Sequence, residues 1–331
     1  MTSVAVVVPT RRIPVLAPGG ASHHVRSIAG GFAQIGADVE IVAARGARDG
    51  QPTVEPGVPL RIAPRGRLPG VLRRVRAWDE RVDARALARH VHADVVYERH
   101  ALFATVGGPR IVELNAPAAW EAVWFEGLAP DPALLRAEAR QLRSAALVVA
   151  VSVPLADYAV RRGVRPDRIV VVPNGGIATP RRPHDGFVVG YAGTFKPWQG
   201  VVGALGDLAA VERPFRLELW GDGPDREAVA AAAASLGVDV QWRGWGTPDR
   251  GAWDVAWAPR GPWPPPGRGF DEPPPARYFS SLKEADAAAS GLPILRDGAL
   301  IELPPPPTWA DVAGTILDAS GVEHGKMATA R

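Results

Sequence analysis

The chain has 331 residues, a net charge of only +3 and no cysteine. At roughly 150 residues per domain, that length predicts two domains, each able to bury a core. Disulfide scaffolds, zinc–thiolate sites, iron–sulfur clusters and cysteine nucleophiles are excluded, and so small a charge argues against a nucleic-acid partner. No apolar run approaches the ~18 residues of a membrane span. The opening Met-Thr-Ser-Val-Ala-Val-Val-Val-Pro is too short and uncharged for a signal peptide, so a cytoplasmic protein is expected. Of 38 basic residues only Lys196, Lys283 and Lys326 are lysine. The Ala/Gly/Pro-rich composition of a high-GC genome accounts for the arginine excess without any function.

Residues 4–8 form an apolar run that reads as a buried parallel strand. Gly19-Gly20 opens a helix on which Val25, Ile28, Ala29, Phe32 and Ile35 recur at helical spacing, Gly36 offers a stop, and 39–43 is the next strand. This strand–helix–strand unit implies a right-handed parallel crossover. Residues 61–89 hold nine arginines, and Leu72, Val75, Trp78 and Val82 share a helical face there. An amphipathic helix packed on its own domain is favoured over one lying on acidic lipid. Further strands are predicted at 95–97, 111–114, 147–151 and 169–172. A linker follows at 177–186. The pattern then restarts, with strands at 187–191, 215–220, 238–242, 254–257 and 293–295 and helices near 200–210, 223–236, 280–290 and 308–319. The Pro-rich stretches 261–275 and 304–307 read equally as ordered loops or lids and as spacers. Two tandem doubly wound α/β domains are the natural reading, with ligands in a cleft at the carboxyl ends of the strands.

Several loops carry chemistry. Gly19-Gly20 lets a ligand approach the backbone at a helix N-terminus, which suits an anion. A Gly-x-Gly-x-x-Gly is missing and Ala43-Ala44-Arg45 follows the second strand, which argues against a nicotinamide enzyme. Gly193-Thr194-Phe-Lys196-Pro-Trp198-Gln199-Gly200 combines an open backbone with a lysine before a helix, the parts of a phosphate or diphosphate site. In Gly221-Asp222-Gly223 the carboxylate can accept from a ligand hydroxyl, although a turn starting a helix is the plainer reading. Ser280-Ser281-Leu282-Lys283 offers a helix cap, and Lys283 and Asp286 share a face. A carboxylate at Asp286 can take two ribose hydroxyls; an ion pair within the helix accounts for the spacing equally. No His-Glu-x-x-His or Asp-x-Asp occurs, so no metal site is expected.

Six segments in order resemble the retaining glycosyltransferases of family 4, which have the GT-B fold. They are Pro18-Gly19-Gly20-Ala-Ser-His23-His24, Tyr97-Glu-Arg-His100, Val112-Glu-Leu-Asn115-Ala-Pro117, Val172-Pro-Asn-Gly175, Gly193-Thr-Phe-Lys196-Pro-Trp198-Gln-Gly200 and Tyr278-Phe-Ser-Ser-Leu-Lys283. The resemblance implies an α/β chain of two Rossmann-like domains: an acceptor-binding domain at 1–176 and a nucleotide-sugar domain at 187–307. A helix at 308–320 would pack back on the first domain, ahead of a tail at 321–331. It implies transfer of a sugar from a nucleoside diphosphate donor with retention, without metal or cofactor; the compact length favours a small acceptor in specialised metabolism, and peripheral membrane contact is not favoured. Lys196, Asn115 and His100 would be catalytic. Gly19, Gly20, Gly193, Thr194, Lys196, Asp222, Gly223, Tyr278, Ser281, Leu282, Lys283 and Asp286 would hold the donor. His23, His24, His100 and Asn115 would hold the acceptor. Three departures stand out. Tyr278 and Asp286 occupy the positions of the family's Glu-x7-Glu pair, Thr194 and Gln199 replace an Arg and a Lys used on the diphosphate, and Asn115 stands where many members have histidine. An epimerase or hydrolase of the same fold, a non-catalytic nucleotide-sugar binder, and a lipid or cell-surface glycan acceptor stay open as alternatives.

Overall fold

The computed structural model describes residues 1–267, 269–279 and 281–321; Ser280, His324 and Lys326 lie outside the described residues. Two sheets divide the chain. The first contains β1 (Ser3–Val8), β2 (Asp38–Ala43), β3 (Leu60–Ile62), β4 (Val95–Arg99), β5 (Ile111–Leu114), β6 (Leu147–Ala150) and β7 (Ile169–Val171). Its strand order is β3-β2-β1-β4-β5-β6-β7, with every pairing parallel. The second contains β8 (Val188–Ala192), β9 (Arg216–Trp220), β10 (Val240–Gly244), β11 (Val255–Trp257), β12 (Ile294–Arg296) and β13 (Ala299–Ile301). Its order is β10-β9-β8-β11-β12-β13, parallel except for the antiparallel edge strand β13. Helices cover both sheets, so central strands such as β1 are buried on both faces and read as continuous valine runs. Each order reverses beside its first strand, between β1 and β4 and between β8 and β11. Those reversals are the points where loops diverge and leave room for a ligand.

The helices are α1 (Gly20–Gln34), α2 (Arg76–Ala88), α3 (Ala118–Glu126), α4 (Pro132–Arg143), α5 (Val153–Arg161), α6 (Arg226–Ser235), α7 (Leu282–Ala289) and α8 (Trp309–Ala319). None of the described helices is long and apolar enough to cross a membrane. The helix expected over 200–210 is a 3-10 segment at Leu205–Ala210, because Gly203 and Gly206 weaken an α-helix there. The apolar face expected on residues 61–89 is broken. Leu72–Arg74 is a separate 3-10 turn, Val75 is the extended cap before α2, and Trp78 is half exposed.

Two returns of the chain join the halves. α1 buries Val25, Ile28 and Phe32 in one core with Val312, Ile316 and Leu317 of α8. Gly31 makes this close crossing possible, since a Cβ there would lie 2.2 Å from the Trp309 carbonyl oxygen. The second return is the Pro-rich segment, which is ordered packing rather than a spacer. Phe270 and Tyr278 are buried in the same cluster as Trp120, Leu155 and Tyr158 of the first half, and Trp263 meets Trp124 edge-on at 5.3 Å. Arg162 grips Glu272 with two hydrogen bonds of 2.7 and 2.6 Å.

Gly31→Ala is expected to destabilise the protein by about 1–3 kcal/mol, the cost of overpacking a tight contact. Gly30→Ala, one residue away with nothing within 4 Å of the added carbon, is expected to be neutral or stabilising. Thermal denaturation of both variants checks this; equal melting temperatures would show that α8 does not bear on α1.

Candidate functional site

A cleft of about 860 Å³ runs between the two halves. On one side are Gly19, Gly20 and the α1 face carrying His23, Arg26, Ser27, Gly30 and Gln34. On the other are Gly193, Thr194, Trp198, Gln199, Trp220, Gly221, Trp245 and the start of α7 from Ser281 to Asp286. The α1 residues recur three and four apart, so one helix face looks into the cleft.

Two helix N-termini meet here. α1 starts directly after Gly19 with no side-chain cap and no acid in its first turn. Its leading amides and positive dipole end are therefore uncompensated by side chains. α7 is capped by Ser281, whose hydroxyl accepts from the Glu284 amide at 3.3 Å. Gly20 keeps the approach open: a Cβ there would sit 3.9 Å from Leu282 Cδ1. The cleft has two carboxylates in its lining, Glu284 and Asp286. Glu284 accepts from Arg260 and Arg296, both at 3.0 Å.

Lys283 is the lysine of the cleft lining, which also holds Arg26, Arg250, Arg260 and Arg277. Its ammonium donates to Gln199 Oε1 at 2.7 Å and lies 4.7 Å from the centre of the Tyr191 ring. Gly193 makes the space, since a Cβ there would stand 3.4 Å from Nζ. Burial pushes the Lys283 pKa down to about 8, with Glu284 pulling it back up. No carboxylate among the described residues forms an ion pair with it. The glycines around β9 have another cause. A Cβ at Gly221 would reach within 1.9 Å of the Gly193 carbonyl, and one at Gly223 within 2.5 Å of that of Phe195. The 193–195 and 221–223 loops thus pack backbone to backbone, and the Gly193 amide is engaged by the Trp220 carbonyl at 3.0 Å.

Gly19, Gly20, His23, Gly193, Thr194, Ser281, Leu282, Lys283 and Asp286 come together in the cleft, as donor and acceptor assignments require of neighbours. Other assigned residues are placed elsewhere. Lys196 is half-buried with its ammonium 4.7 Å from the Trp198 ring centre, outside the cleft lining. Burial and then Arg48 lower its pKa, while Glu121 and Glu126 oppose them. Asp222 accepts from the Gly223 amide at 2.8 Å and faces Arg226, so both residues serve the turn. Tyr278 is fully buried; its hydroxyl donates to Glu121 Oε1 at 2.5 Å and its carbonyl accepts from Ser152 at 2.7 Å. It packs between the halves and does not reach the cleft. His24 is buried 2.5 Å from Glu113 Oε1 and edge-on to Trp309. Burial pushes the Glu113 carboxyl up, but His24, Arg99 and Tyr97 outweigh it and hold it down to about 2. His100 is buried beside Glu138, its Nδ1 3.9 Å from the carboxylate, and burial lowers it to about 4. Asn115 is half-buried with its Oδ1 inside the protein. Neither His100 nor Asn115 lines the cleft.

Asp286 corrects another expectation. Its side chain is almost fully buried. Oδ1 accepts from the Ile177 amide at 2.9 Å, while Oδ2 lies 2.8 Å from Arg250 and 3.3 Å from His23. Both oxygens already have neighbours from the linker, the second domain and α1, so Asp286 acts as a positioning residue rather than an open seat for two ribose hydroxyls. Sequence reading missed Arg250 because it is distant in the chain and belongs to no motif. The aromatic residues Trp220 and Trp245 went unassigned because a strand-end tryptophan reads as core.

Residues 19–175 match the glycosyl transferase 4-like domain family. Solved structures of similar fold cover nearly the whole chain. Anabaena HepE in complex with UDP and glucose has a TM-score of 0.59 and 16% identity, covering 97% of this chain and 91% of that one. Sucrose-phosphate synthase from Thermosynechococcus elongatus has 0.59 and 17%, with coverages of 97% and 91%. AviGT4, a glycosyltransferase involved in avilamycin A biosynthesis, has 0.57 and 14%, covering 97% of each chain. No curated protein matches the sequence. The chain as a whole has the GT-B fold of these structures.

Asp286→Ala and Arg250→Ala are each expected to cost about 3–5 kcal/mol, because each leaves the other buried charge unpaired. The double variant should cost less than the sum by about 1–3 kcal/mol. Unfolding midpoints of the four proteins measure this coupling; strictly additive losses would break the assignment of the pair.

Proposed function

We propose that the protein transfers a glycosyl group from a nucleoside diphosphate sugar to a small acceptor with retention of anomeric configuration, without a metal. The observation that carries this reading is Lys283: a half-buried lysine in the first turn of α7, on the same cleft as the open N-terminus of α1. Negative charge grows on the diphosphate as the sugar leaves. A fixed cation and two helix dipoles stabilise that charge without having to reorganise, and one such donor is typically worth ~10²–10³ in rate. Lys283 takes the task first given to Lys196. Trp220 and Trp245 offer aromatic surface for a base on the second-domain wall. The acceptor is assigned to the α1 face around His23, Ser27 and Gly30. Glu284 and Asp286 are held by arginines, so neither is assigned as a covalent nucleophile. The cleft volume suits two small substrates together. The engaged Asp286 equally favours a second reading, a nucleotide-sugar binder without turnover; product formation separates the two.

Thermal-shift titration with UDP, GDP and ADP should show stabilisation by at least one of them. Lys283→Met should weaken that binding by about 1.5–3 kcal/mol, the worth of a hydrogen bond to a charged group. No shift with any nucleotide sinks the reading. Nuclear magnetic resonance of a product formed from the matching sugar donor reports whether configuration is retained.

The pH dependence follows from the same lysine. Its ammonium is present below a pKa of about 8 in the free protein and is lost as pH rises through that value. A diphosphate, with phosphate ionisations near ~6, keeps its charge there. Affinity should therefore fall between neutral and alkaline pH in the wild type and stay flat in Lys283→Met. Isothermal titration calorimetry across that range checks it.

A further inference from the structure

A second pocket of about 250 Å³ sits on the first domain between α2, the loop after β4 and α4. It shares no lining residue with the large cleft. Arg81 and Arg85 reach it from successive turns of α2, and Arg140 from α4. Phe103 gives an apolar wall and Gln141 a polar one. None of the three guanidinium groups has an ion-pair or hydrogen-bond partner among the described residues.

The acids nearest this face do not neutralise it. The acids of α2 are all engaged elsewhere: Asp79 accepts from Arg65 at 2.8 Å, Glu80 from Arg76 at 2.8 Å and Asp83 from the Gly66 amide at 2.9 Å. Arg81 and Arg85 are four apart on one helix, an arrangement that repels. With Arg140 opposite, three positive charges converge on one small cavity. Planar guanidinium forks match phosphate oxygens in pairs. The Gln141 side-chain oxygen is turned inward to the His100 ring, and the Phe103 ring is covered by Arg76, so the three arginines are what the pocket offers a ligand. The volume lies below the ~300–1,000 Å³ of larger ligand sites, which leaves out a nucleotide.

We propose that this pocket binds a small phosphate monoester, its oxygens held between Arg81, Arg85 and Arg140. The site is separate from the glycosyl-transfer cleft and does not rest on the function assigned to it.

Isothermal titration of the full chain with glucose 6-phosphate, at about 0.15 M salt to screen loose surface attraction, tests the proposal. Saturable one-to-one binding is expected. It should weaken roughly tenfold or more in Arg81→Ala/Arg140→Ala, as loss of charged hydrogen bonds implies. Arg89→Ala/Arg136→Ala removes the same charge outside the pocket and should leave binding within about twofold. Arg85→Gln, with its melting temperature recorded, serves should the first double variant not fold, and should also weaken binding. Saturating UDP should leave glucose 6-phosphate binding unchanged. The proposal is overturned by absence of saturable binding, by equal loss in both double variants, by unchanged binding in Arg85→Gln, or by competition with UDP.

Discussion

A buried carboxylate must be paired, and Asp286 is paired with three separate parts of the chain. Its oxygens contact the amide of Ile177 in the linker, the guanidinium of Arg250 in the second half and the imidazole of His23 on α1. A charge removed from water costs several kcal/mol unless its partners are held in good geometry. The cluster therefore fixes positions as much as it stabilises. It sets the start of α7 against the start of α1, and that relation defines the cleft. Burial lowers the pKa of Arg250 and Asp286 raises it, as a buried pair requires.

The rest of the junction supports the same relation by apolar packing. Tyr278, three residues before the α7 cap Ser281, is anchored in the first half by Glu121 and Ser152. α8 returns over α1 and completes the core under it. The two ends of the second half are thus seated on the first. Motion between the halves would have to break the Arg162–Glu272 grip and expose Phe270 and Trp120.

Much of this was legible in the chain and some was not, for identifiable reasons. Strands such as 4–8 and 147–151 are buried on both faces, so their side chains form unbroken apolar runs. β3 and β13 are three-residue edge strands with half-exposed side chains, and they carry no such signal. Motif spacing brings out Gly19, Gly193 and Lys283, which line one cleft, because each follows or opens a regular element. It misplaced Tyr278, His24 and His100, whose polar groups are satisfied by Glu121, Glu113 and the surroundings of Glu138. A polar side chain in a motif does not reveal whether it faces solvent or a partner distant in sequence. Arg250 and Glu121 are such partners, and only the folded chain brings them together.

The pairing of Lys283 with Gln199 shows why residue type matters more than net charge here. An aspartate or glutamate at Gln199 would hold the ammonium equally well but would cancel its charge. The glutamine amide oxygen accepts one hydrogen bond and leaves the charge, with the remaining N–H donors, directed at whatever enters the cleft. Arginine would serve less well, since its broad fork needs more room than Gly193 and Tyr191 leave and resists the loss of charge that burial imposes on an ammonium. In a chain that uses arginine almost everywhere else, a compact cation stands where the side chain is held between Gln199 and the Tyr191 ring. Burial lowers the pKa of that lysine, and no carboxylate among the described residues forms an ion pair with it, so an anion entering the cleft would favour its charged form.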